Sequence, residues 1–371
     1  MARPSLGRFL TMALALGLLG FGGGWVVIGW IRRVVVEERG WMREDEFVEH
    51  AAVAAALPGI SGPNLLTVVG YRLGGVGWAV SGPVVFVFPS AVLVTVIAAY
   101  YEWIRGLHLV MELFDGMTAA IAGVVLSVAI GMRKKALESV LSMAIAAGAL
   151  ALLVSHVVGL LEVVVGAGAI GVAAMRPKEK GGHALLALGP LAAVAVGSVS
   201  TLTILWVFTR IGVATFGGGY AMVPAMDREI VGRGWLDEKT FMDAITIGQI
   251  TPGPVALSGT FLGYRLGGIA GACAATAGMF VPPLILAILA ARSLARFRAS
   301  PWVQGFLSGI AAAVVGVIVA ASWSIGKSAL HGVVGPVIAV ASVVVMVARP
   351  RTSPVLVLFC GALVHLAWTR V

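Results

Sequence analysis

Long apolar runs separated by short polar segments make up nearly all of this sequence. A run of roughly 20 apolar residues is long enough to cross a bilayer as an α-helix, in which every backbone polar group is paired. By this measure the pattern predicts about thirteen transmembrane helices and therefore an all-α integral membrane protein. We place the helices at approximately residues 10–31, 47–71, 76–99, 115–131, 137–154, 156–175, 184–199, 201–224, 241–264, 268–291, 304–325, 328–347 and 353–369.

One long stretch occurs twice in the chain, about 194 residues apart. The first copy contains Phe-Gly-Gly-Gly at 21–24, Arg-Gly-Trp at 39–41, Pro-Gly at 58–59 and Tyr-Arg-Leu-Gly-Gly at 71–75, and the second repeats these at 216–219, 233–235, 252–253 and 264–268. A match of this length indicates two copies of one module. We predict an N-terminal repeat at 1–175, a basic linker with a connecting transmembrane helix at 176–199, and a C-terminal repeat at 200–371.

Basic residues are concentrated between the predicted helices. If the helices cross alternately, four basic clusters lie on one side of the membrane: Arg133-Lys134-Lys135, Arg176/Lys178/Lys180, Arg292/Arg296/Arg298 and Arg349/Arg351. Because cytoplasmic loops carry an excess of Lys and Arg, this side and the N-terminus are predicted to be cytoplasmic, at the cell inner membrane. The loop at 32–46 then faces outward, although it carries Arg32, Arg33, Arg39 and Arg43.

An odd number of predicted helices separates the starts of the two copies, so the second copy is predicted to be inverted relative to the first. Inverted repeats are typical of secondary transporters, whose substrate site lies near the membrane midplane where the repeats meet. An alternative arrangement makes 47–71 and 241–264 re-entrant hairpins that enter and leave on one face. We prefer the spanning arrangement, because the hairpins would move the cluster at 292–298 to the outside.

Composition narrows the function classes. The chain is 59% hydrophobic and only 12% charged, with a mean hydropathy of +1.00, whereas soluble domains are about 25% charged. The net charge of +9 comes from loops and forms no stripe with interleaved aromatic residues, so no nucleic acid is expected. Cys273 and Cys360 form no metal-ligand spacing. Phosphate-binding, metalloprotease and hydrolase motifs are absent, so we expect neither an enzyme nor an ATP-driven pump, and no cofactor.

Each copy interrupts its second predicted helix with a Pro-Gly pair, Pro58-Gly59 or Pro252-Gly253. Proline removes a backbone donor and clashes with the preceding turn, so the helix must stop and restart. A restarted helix presents free N–H groups and the positive end of its dipole, which suits an anion. The alternative is that each pair only kinks a helix for packing. Because the breaks match, we favour a substrate site that includes the flanking polar residues Ser61, Asn64, Gln249, Thr251 and Ser258.

Two further matched features accompany the breaks. The glycines of the two Phe-Gly-Gly-Gly segments either unwind the neighbouring helix and expose amides to substrate, or let two helices touch. Arg72 and Arg265 lie at the ends of the broken segments. These arginines either attract an oxyanion at each mouth of the pathway or extend to lipid headgroups.

Acidic residues within a membrane are candidates for carrying a coupled proton. Glu49 and Asp243 occupy matching positions at the start of the broken segments, and we interpret both as ordinary solvated carboxylates. Glu162 lies deeper in a predicted helix and is the better single candidate, but it has no counterpart in the other repeat. The sequence therefore assigns no proton carrier.

The second copy carries the segments that resemble a known family, the chromate ion transporter (CHR) family in its long-chain, two-domain form. These segments are Phe216-Gly217-Gly218-Gly219, Arg233-Gly234-Trp235-Leu236, Phe241-Met242-Asp243, Gln249-Ile250-Thr251-Pro252-Gly253-Pro254 and Gly263-Tyr264-Arg265. The resemblance covers essentially the whole chain, although the first copy departs from the family's Pro-Gly-Pro at Pro58-Gly59-Ile60. It implies an inner-membrane protein that exports chromate, driven by the membrane potential or a proton gradient, with sulfate as a related oxyanion.

Together these observations predict a secondary transporter of a tetrahedral oxyanion that works by rocking one half against the other. The predicted substrate-binding residues are Pro58, Gly59, Ser61, Asn64, Gln249, Thr251, Pro252, Gly253, Ser258, Gly22, Gly23, Gly217, Gly218, Arg72 and Arg265. The expected partners are chromate or sulfate, a coupling proton, the lipid bilayer and a second copy of the chain in a homodimer. A transporter of another small solute and an anion channel stay open as alternatives, since a fold does not fix a function.

Overall fold

The computed structural model describes residues 4–20, 24–174, 199–293, 300–330, 332–350 and 352–370. Within these ranges the chain forms sixteen α-helices and no strand, which confirms the predicted all-α class. The predicted connecting helix at 184–199 lies, apart from Val199, outside the described residues, as do Gly22 and Gly23.

The helices of the first copy, with an added short helix α6, are α1 (Leu6–Leu19), α2 (Gly24–Arg32), α3 (Glu44–Ala56), α4 (Ser61–Gly74), α5 (Val76–Ala99), α6 (Tyr101–Arg105), α7 (His108–Ala136), α8 (Val140–Val154) and α9 (Leu160–Ala174). Those of the second copy are α10 (Thr201–Ala214), α11 (Val223–Met226), α12 (Glu238–Ile250), α13 (Ser258–Arg292), α14 (Pro301–Ala329), α15 (Val334–Ala348) and α16 (Pro354–Thr369). A π-helical segment follows α2 at Arg33–Glu38 and α11 at Asp227–Val231, so the copies match even in this uncommon feature.

Four helical segments in the described part of the chain are long and apolar enough to cross a membrane, by length and composition. They are Val76–Ala99, His108–Ala136, Val255–Arg292 and Pro301–Ala329. Six shorter helices of 10–17 residues are also apolar: α1, α8, α9, α10, α15 and α16. The predicted runs at 10–31, 47–71, 201–224 and 241–264 are each interrupted, because the described chain is not helical at 20, 57–60, 215–218 and 251–254.

The segment at 47–71 folds back on itself. Arg72 Nε, in the last turn of α4, lies 2.5 Å from Glu46 Oε1, in the first turn of α3. A continuous helix of this length would separate its ends by about 37 Å. The prediction that this segment crosses the membrane is therefore wrong, and α3 and α4 form what we name the first hairpin.

The matching segment of the second copy is also a hairpin. Tyr101 donates its hydroxyl hydrogen to Asp243 Oδ2 at 2.6 Å, near the start of α12. The guanidinium carbon of Arg265 lies 5.2 Å from the centroid of the same tyrosine ring. Both ends of 241–264 thus meet at one residue, and the spanning prediction is wrong here too. We name α12 and Ser258–Leu266 the second hairpin.

The two hairpins open at opposite ends of the molecule. Helix α5 follows the first hairpin directly and ends at Ala99, next to Tyr101 and hence to Arg265. We name the two ends the Arg72 end and the Arg265 end. The backbone of α13 is not helical at Gly267 and Gly268, where the chain turns after the arm that ends at the Arg265 end. The part of α13 after this turn runs back to the Arg72 end, because Ala291 near its C-terminus lines the same cavity as Arg72.

The remaining long helices form a six-helix bundle, α7–α9 and α14–α16. Helices α7 and α14 pack together at its centre, with α8 and α9 against α14 and with α15 and α16 against α7. Small residues permit this close approach. A Cβ added to Gly123 would lie 2.2 Å from Ala339 O, and one added to Gly316 would lie 2.1 Å from Ala146 O.

Candidate functional site

The two Pro-Gly breaks lie at the centre of the molecule, where each is hydrogen-bonded to the other copy. Gly59 N donates to Thr215 O at 2.7 Å, and Gly253 N donates to Gly20 O at 3.2 Å. The donors occupy matching positions in the two copies, and so do the acceptors. Each break therefore bonds to the residue that directly precedes the Phe-Gly-Gly-Gly sequence of the opposite copy.

Only glycine fits at these two crossings. Gly59 and Gly253 both have φ of +97°, a region that side chains rarely adopt. A Cβ on Gly59 would lie 2.5 Å from Pro283 Cβ, and one on Gly253 would lie 2.7 Å from Ser90 Oγ. Since both amides already bond to protein carbonyls, the amides left for a ligand are those further into the restarted helices.

Three of the predicted site side chains stabilise the breaks themselves. Asn64 Nδ2 donates to Pro58 O at 2.8 Å and to Ala54 O at 3.4 Å. Thr251 Oγ1 donates to Ile247 O, and Ser258 Oγ donates to Val255 O, each at 2.8 Å. Asn64 thereby pairs carbonyls at the break, which a buried position requires. Ile247 O and Val255 O also accept backbone hydrogen bonds, from Thr251 N and Ser258 N, so the two hydroxyl groups add second bonds there.

Gln249 is a predicted site residue whose side chain has a hydrogen-bond donor left for a ligand. It lies at the end of α12 and is 8% exposed. Its Oε1 accepts from Tyr220 OH at 3.3 Å, whereas its buried Nε2 has no hydrogen-bond partner among the described residues. An unpaired buried amide is costly, so this donor is available to an acceptor such as a water or an anion.

Residues of the first break reach the surface of the site. Pro58 and Ser61 are half-buried, and Ser61 begins α4. The first N–H groups of a helix have no partner within it and carry the positive end of the helix dipole. Ser61 and Gly62 therefore offer two amides at this point, whereas Pro63 offers none.

The second Phe-Gly-Gly-Gly segment is unwound. Helix α10 ends at Ala214, and Gly217 and Gly218 adopt φ of +76° and +115°. Gly217 is exposed, although it lies in the middle of the molecule. In this copy the helix is therefore unwound beside the break, as the first of our two interpretations predicted, while exposure of its amides to substrate stays a prediction.

Arg72 and Arg265 lie at the mouths of the hairpins and far from the breaks. Arg72 is paired with Glu46, as described above, and the Arg265 guanidinium contacts Glu102 Oε1. About eleven residues of α4 separate Ser61 from Arg72, which corresponds to roughly 16 Å. Neither arginine therefore contacts an anion held at the breaks.

The two hairpins differ in exposure at matching positions. Val48 on α3 is 55% exposed, whereas its counterpart Met242 on α12 is 3% exposed. The same contrast holds one and two turns further along: Ala52 and Ala55 are exposed, whereas their counterparts Thr246 and Gln249 are buried. The second hairpin is packed against the bundle, while the same face of the first hairpin is uncovered.

Cavities lie at both ends of the molecule. At the Arg72 end a cavity of about 530 Å³ is lined by Arg43, Asp45, Glu46, Glu49, His50, Val68, Tyr71, Arg72 and Ala291. At the Arg265 end a cavity of about 540 Å³ is lined by Asp115, Thr118, Asp237, Glu238, Lys239, Met242, Ser328, Ala329, Gly335 and His365. The second cavity lies between α12 and the bundle, outside the packed contact of Tyr101 with Asp243.

The acidic residues differ from their sequence interpretation. Asp243 is fully buried, so its assignment as a solvated carboxylate is wrong, while Glu49 is exposed as expected. Glu162, the deeper candidate, has Oε1 3.5 Å from Arg210 Nη2 and so belongs to an ion pair. Among these three acidic residues, Asp243 is therefore the one that is fully buried.

Sequence reasoning missed two tyrosines of this region. Tyr220 follows the glycine segment directly and Tyr101 lies in the short helix α6, and neither stands at a matched position that pattern comparison would notice. The sequence did offer one signal: tyrosine is rare in this chain, with only five residues, so a tyrosine within an apolar segment is notable. A tyrosine in an apolar segment usually has a hydrogen-bond partner for its hydroxyl group.

A family model described as "Chromate transporter" matches the chain twice, over residues 8–172 and 202–366. Among curated proteins, a probable chromate transport protein of Synechococcus elongatus is 32% identical over 88% of this chain and 86% of its own length. A chromate transport protein of Cupriavidus metallidurans is 28% identical over 98% of this chain and 93% of its own length. One of Pseudomonas aeruginosa is 28% identical over 86% and 80%. No solved structure matches the chain.

Proposed function

Because this chain belongs to the chromate transporter family, we propose that it is a secondary transporter that exports chromate across the cytoplasmic membrane. The observation that carries the site is the unpaired amide of Gln249, which lies beside two crossing helix breaks. Chromate is a tetrahedral dianion whose oxygens accept hydrogen bonds. A site made of uncharged donors holds such an ion without a fixed counter-charge, so release on the far side stays possible.

The donors of the proposed site come from both copies. Gln249 Nε2 belongs to the second copy, the first-turn amides of Ser61 and Gly62 belong to the first, and the unwound Gly217-Gly218 lies beside the first break. The dipole of α4 adds positive potential at its N-terminus. Hydrogen bonds to a charged group contribute about 1.5–3 kcal/mol each. Several of them offset the cost of removing water from the dianion.

We propose that the two copies are inverted repeats that alternate access to this site. The opposite openings of the two hairpins support the inversion, and broken helices at a repeat interface are typical of such transporters. The uncovered face of α3 supports an arrangement open toward the Arg72 end and closed at the Arg265 end. Rocking of the hairpins against the bundle would cover α3 and uncover α12.

The distribution of charge supports a cytoplasmic Arg72 end. With re-entrant hairpins, the arginines of the loop at 32–43 lie at this end, together with Arg292 and with the last turn of α7 at 133–135. All these basic segments then obey the positive-inside rule, including the loop that contradicted it in the spanning arrangement. The N-terminus is then cytoplasmic and the described C-terminus is outside.

The membrane potential favours the proposed direction. A negative interior assists the outward movement of anions by about 2.3 kcal/mol per charge for each 100 mV, hence about 4.6 kcal/mol for a dianion. We propose that an inward proton gradient adds to this driving force. Sulfate has the same shape and charge, so a site of uncharged donors accepts it as a competitor.

A counterflow assay tests the proposal. Purified protein in liposomes preloaded with unlabelled chromate should accumulate radioactive chromate, and external sulfate should compete. Gln249→Met should raise the chromate KM roughly tenfold or more, as loss of one hydrogen bond to a charged group predicts. Ser342→Ala is the control, because this buried serine in the bundle donates only to Ile338 O of its own helix.

Three results would contradict the proposal. Uptake without stimulation by internal chromate would indicate a channel, and counterflow of sulfate that chromate does not inhibit would reassign the substrate. An unchanged KM in Gln249→Met would remove the site from the breaks while leaving transport in place.

A further inference from the structure

Asp243 is a fully buried carboxylate near the start of α12, in the second hairpin. Its side chain is 0% exposed. Oδ2 accepts the hydroxyl hydrogen of Tyr101 at 2.6 Å, and Oδ1 is buried without a hydrogen-bond partner among the described residues. Removing an ionised carboxylate from water costs several kcal/mol unless it is fully paired. This group is hydrogen-bonded on one oxygen only.

The nearest cation is shared with another acid. Lys239 Nζ lies 3.6 Å from Asp243 Oδ1 and contacts Asp115 Oδ1 more closely. Two carboxylates therefore share one ammonium group, and the cluster is one positive charge short of neutrality. One bound proton would supply that charge.

The other acids beside this cluster have partners, whereas His365, which lines the same cavity, has a buried Nδ1 without a hydrogen-bond partner among the described residues. Arg265 pairs with Glu102, Arg105 Nη1 lies 3.9 Å from Asp237 Oδ2, and Ser328 donates to Glu238 Oε1. Burial raises the pKa of Asp237, but hydrogen bonds from Thr240 and the charge of Arg105 outweigh it, so this pKa lies below its usual range and Asp237 stays ionised. Asp243 is thus the acid at this end whose charge is least compensated.

The bond to Asp243 also closes the Arg265 end. Tyr101 belongs to α6, which follows the first copy's α5, whereas Asp243 belongs to the second hairpin. The tyrosine ring contacts Phe261 edge-on at 5.1 Å and lies under the Arg265 guanidinium at 5.2 Å. One side chain therefore ties α6 to both arms of the hairpin.

Polar groups connect Asp243 in two directions. Toward the Arg265 end, Asp115 and Lys239 line the cavity of about 540 Å³. Toward the breaks, Thr246 lies one turn further along α12, where its Oγ1 is 2.9 Å from Thr118 Oγ1, and Gln249 follows after another turn. The first hairpin has alanines at the positions that match Thr246 and Gln249, so this polar line exists in the second copy alone.

We propose that Asp243 is the binding site of the coupled proton and that its bond with Tyr101 is the latch of the Arg265 end. The proposal rests on the proton-coupled export proposed above. A proton arriving from the cavity neutralises Asp243, and Lys239 then pairs with Asp115 alone. The bond to Tyr101 then loses its charge assistance, which roughly halves its strength. The latch opens, and the proton leaves after the site has turned to the cytoplasm.

Flux measurements separate the two roles. Protein in liposomes is given a chromate gradient, and chromate movement and internal pH are followed together. Asp243→Asn should retain counterflow and lose at least nine-tenths of the chromate-driven proton flux, while Asp243→Glu should keep it. Tyr101→Phe, which retains the carboxylate, should keep proton flux but show faster uncoupled chromate leak. The control is Glu49→Gln, the matched acid of the first copy, which should behave as wild type.

The possible failures are distinguishable. Absence of chromate counterflow in wild type would overturn the proposed function. Chromate transport without proton flux in wild type would overturn proton coupling and with it the role of Asp243. Full proton flux in Asp243→Asn would overturn the assignment of Asp243 alone.

A labelling experiment tests the latch without any substrate. Thr246→Cys, in a Cys273→Ala/Cys360→Ala background, is exposed to a membrane-impermeant thiol reagent on the Arg265 side at several pH values, with rates corrected for the thiolate fraction. Lowering the pH should increase the corrected rate at least fivefold, and Asp243→Asn should make it fast at every pH. A rate independent of pH, or one that still depends on pH in Asp243→Asn, would refute the latch.

Discussion

At the scale of single residues, the glycines at the two crossings fix the geometry of the breaks. Gly59 and Gly253 each donate a hydrogen bond to a carbonyl of the opposite copy, with the same φ. A proline explains why each helix stops, but the crossing needs a residue without a side chain. The glycines therefore determine how closely the two breaks approach.

Gly59→Ala should destabilise the protein by about 2 kcal/mol or more, through a strained positive φ and a clash with Pro283. Thermal unfolding in detergent, followed by size-exclusion chromatography, should show a clearly lower midpoint. Gly131→Ala is the control, because Gly131 lies exposed in α7 with no atom within 4 Å of an added Cβ. Equal midpoints for the two variants would show that the crossing tolerates a side chain.

The candidate site was predictable from sequence at some residues only. The Pro-Gly pairs stand out because proline chemistry is local and because the copies match, and Gln249 stands out as a polar residue just before the second break. The roles of Asn64 and Ser258 were not predictable, since a polar side chain beside a break either faces a ligand or satisfies a broken helix. The burial of Asp243 depends on Tyr101, which is 142 residues away in the sequence.

At the scale of elements, the breaks were predicted correctly but the direction of the chain after them was not. Loss of a hydrogen bond at proline ends a helix whether the chain continues forward or turns back. The return is determined by distant contacts, such as Gly59 with Thr215 and Arg265 with Tyr101. Hydropathy does not separate the two cases, because two half-length apolar helices sum to one full-length run.

The unequal cover of the hairpins yields a prediction for matched cysteines. In a Cys273→Ala/Cys360→Ala background, Ala52→Cys should react rapidly with an impermeant thiol reagent added from the cytoplasmic side. Thr246→Cys at the matching position, with the reagent added on the Arg265 side, should react more slowly. The rate should fall about tenfold for each 1.4 kcal/mol that opening of the Arg265 end costs. Chromate should slow the first reaction if it favours a closed arrangement. Slow labelling of both positions would mean that the exposed face of α3 meets lipid rather than water.

At the scale of the whole molecule, the two hairpins change the topology that hydropathy suggests. Each copy contributes short elements that reach the centre and return, together with helices long enough to cross. The loop at 32–43 consequently lies at the same end as the last turn of α7 and the end of α13. This placement removes the conflict between that arginine-rich loop and the positive-inside rule.

The inverted topology predicts that one matched pair of loop residues is accessible from opposite sides of the membrane. Arg43 and Asp237 precede α3 and α12, with side chains 67% and 55% exposed. In the cysteine-free background, Arg43→Cys should be labelled by an impermeant reagent only in inverted membrane vesicles, and Asp237→Cys only in intact spheroplasts. Loss of the helix cap at Asp237 costs about 1 kcal/mol, which is too little to unfold the chain. Labelling of both residues from one side would show that the copies are parallel, and it would remove the structural basis for alternating access between inverted halves.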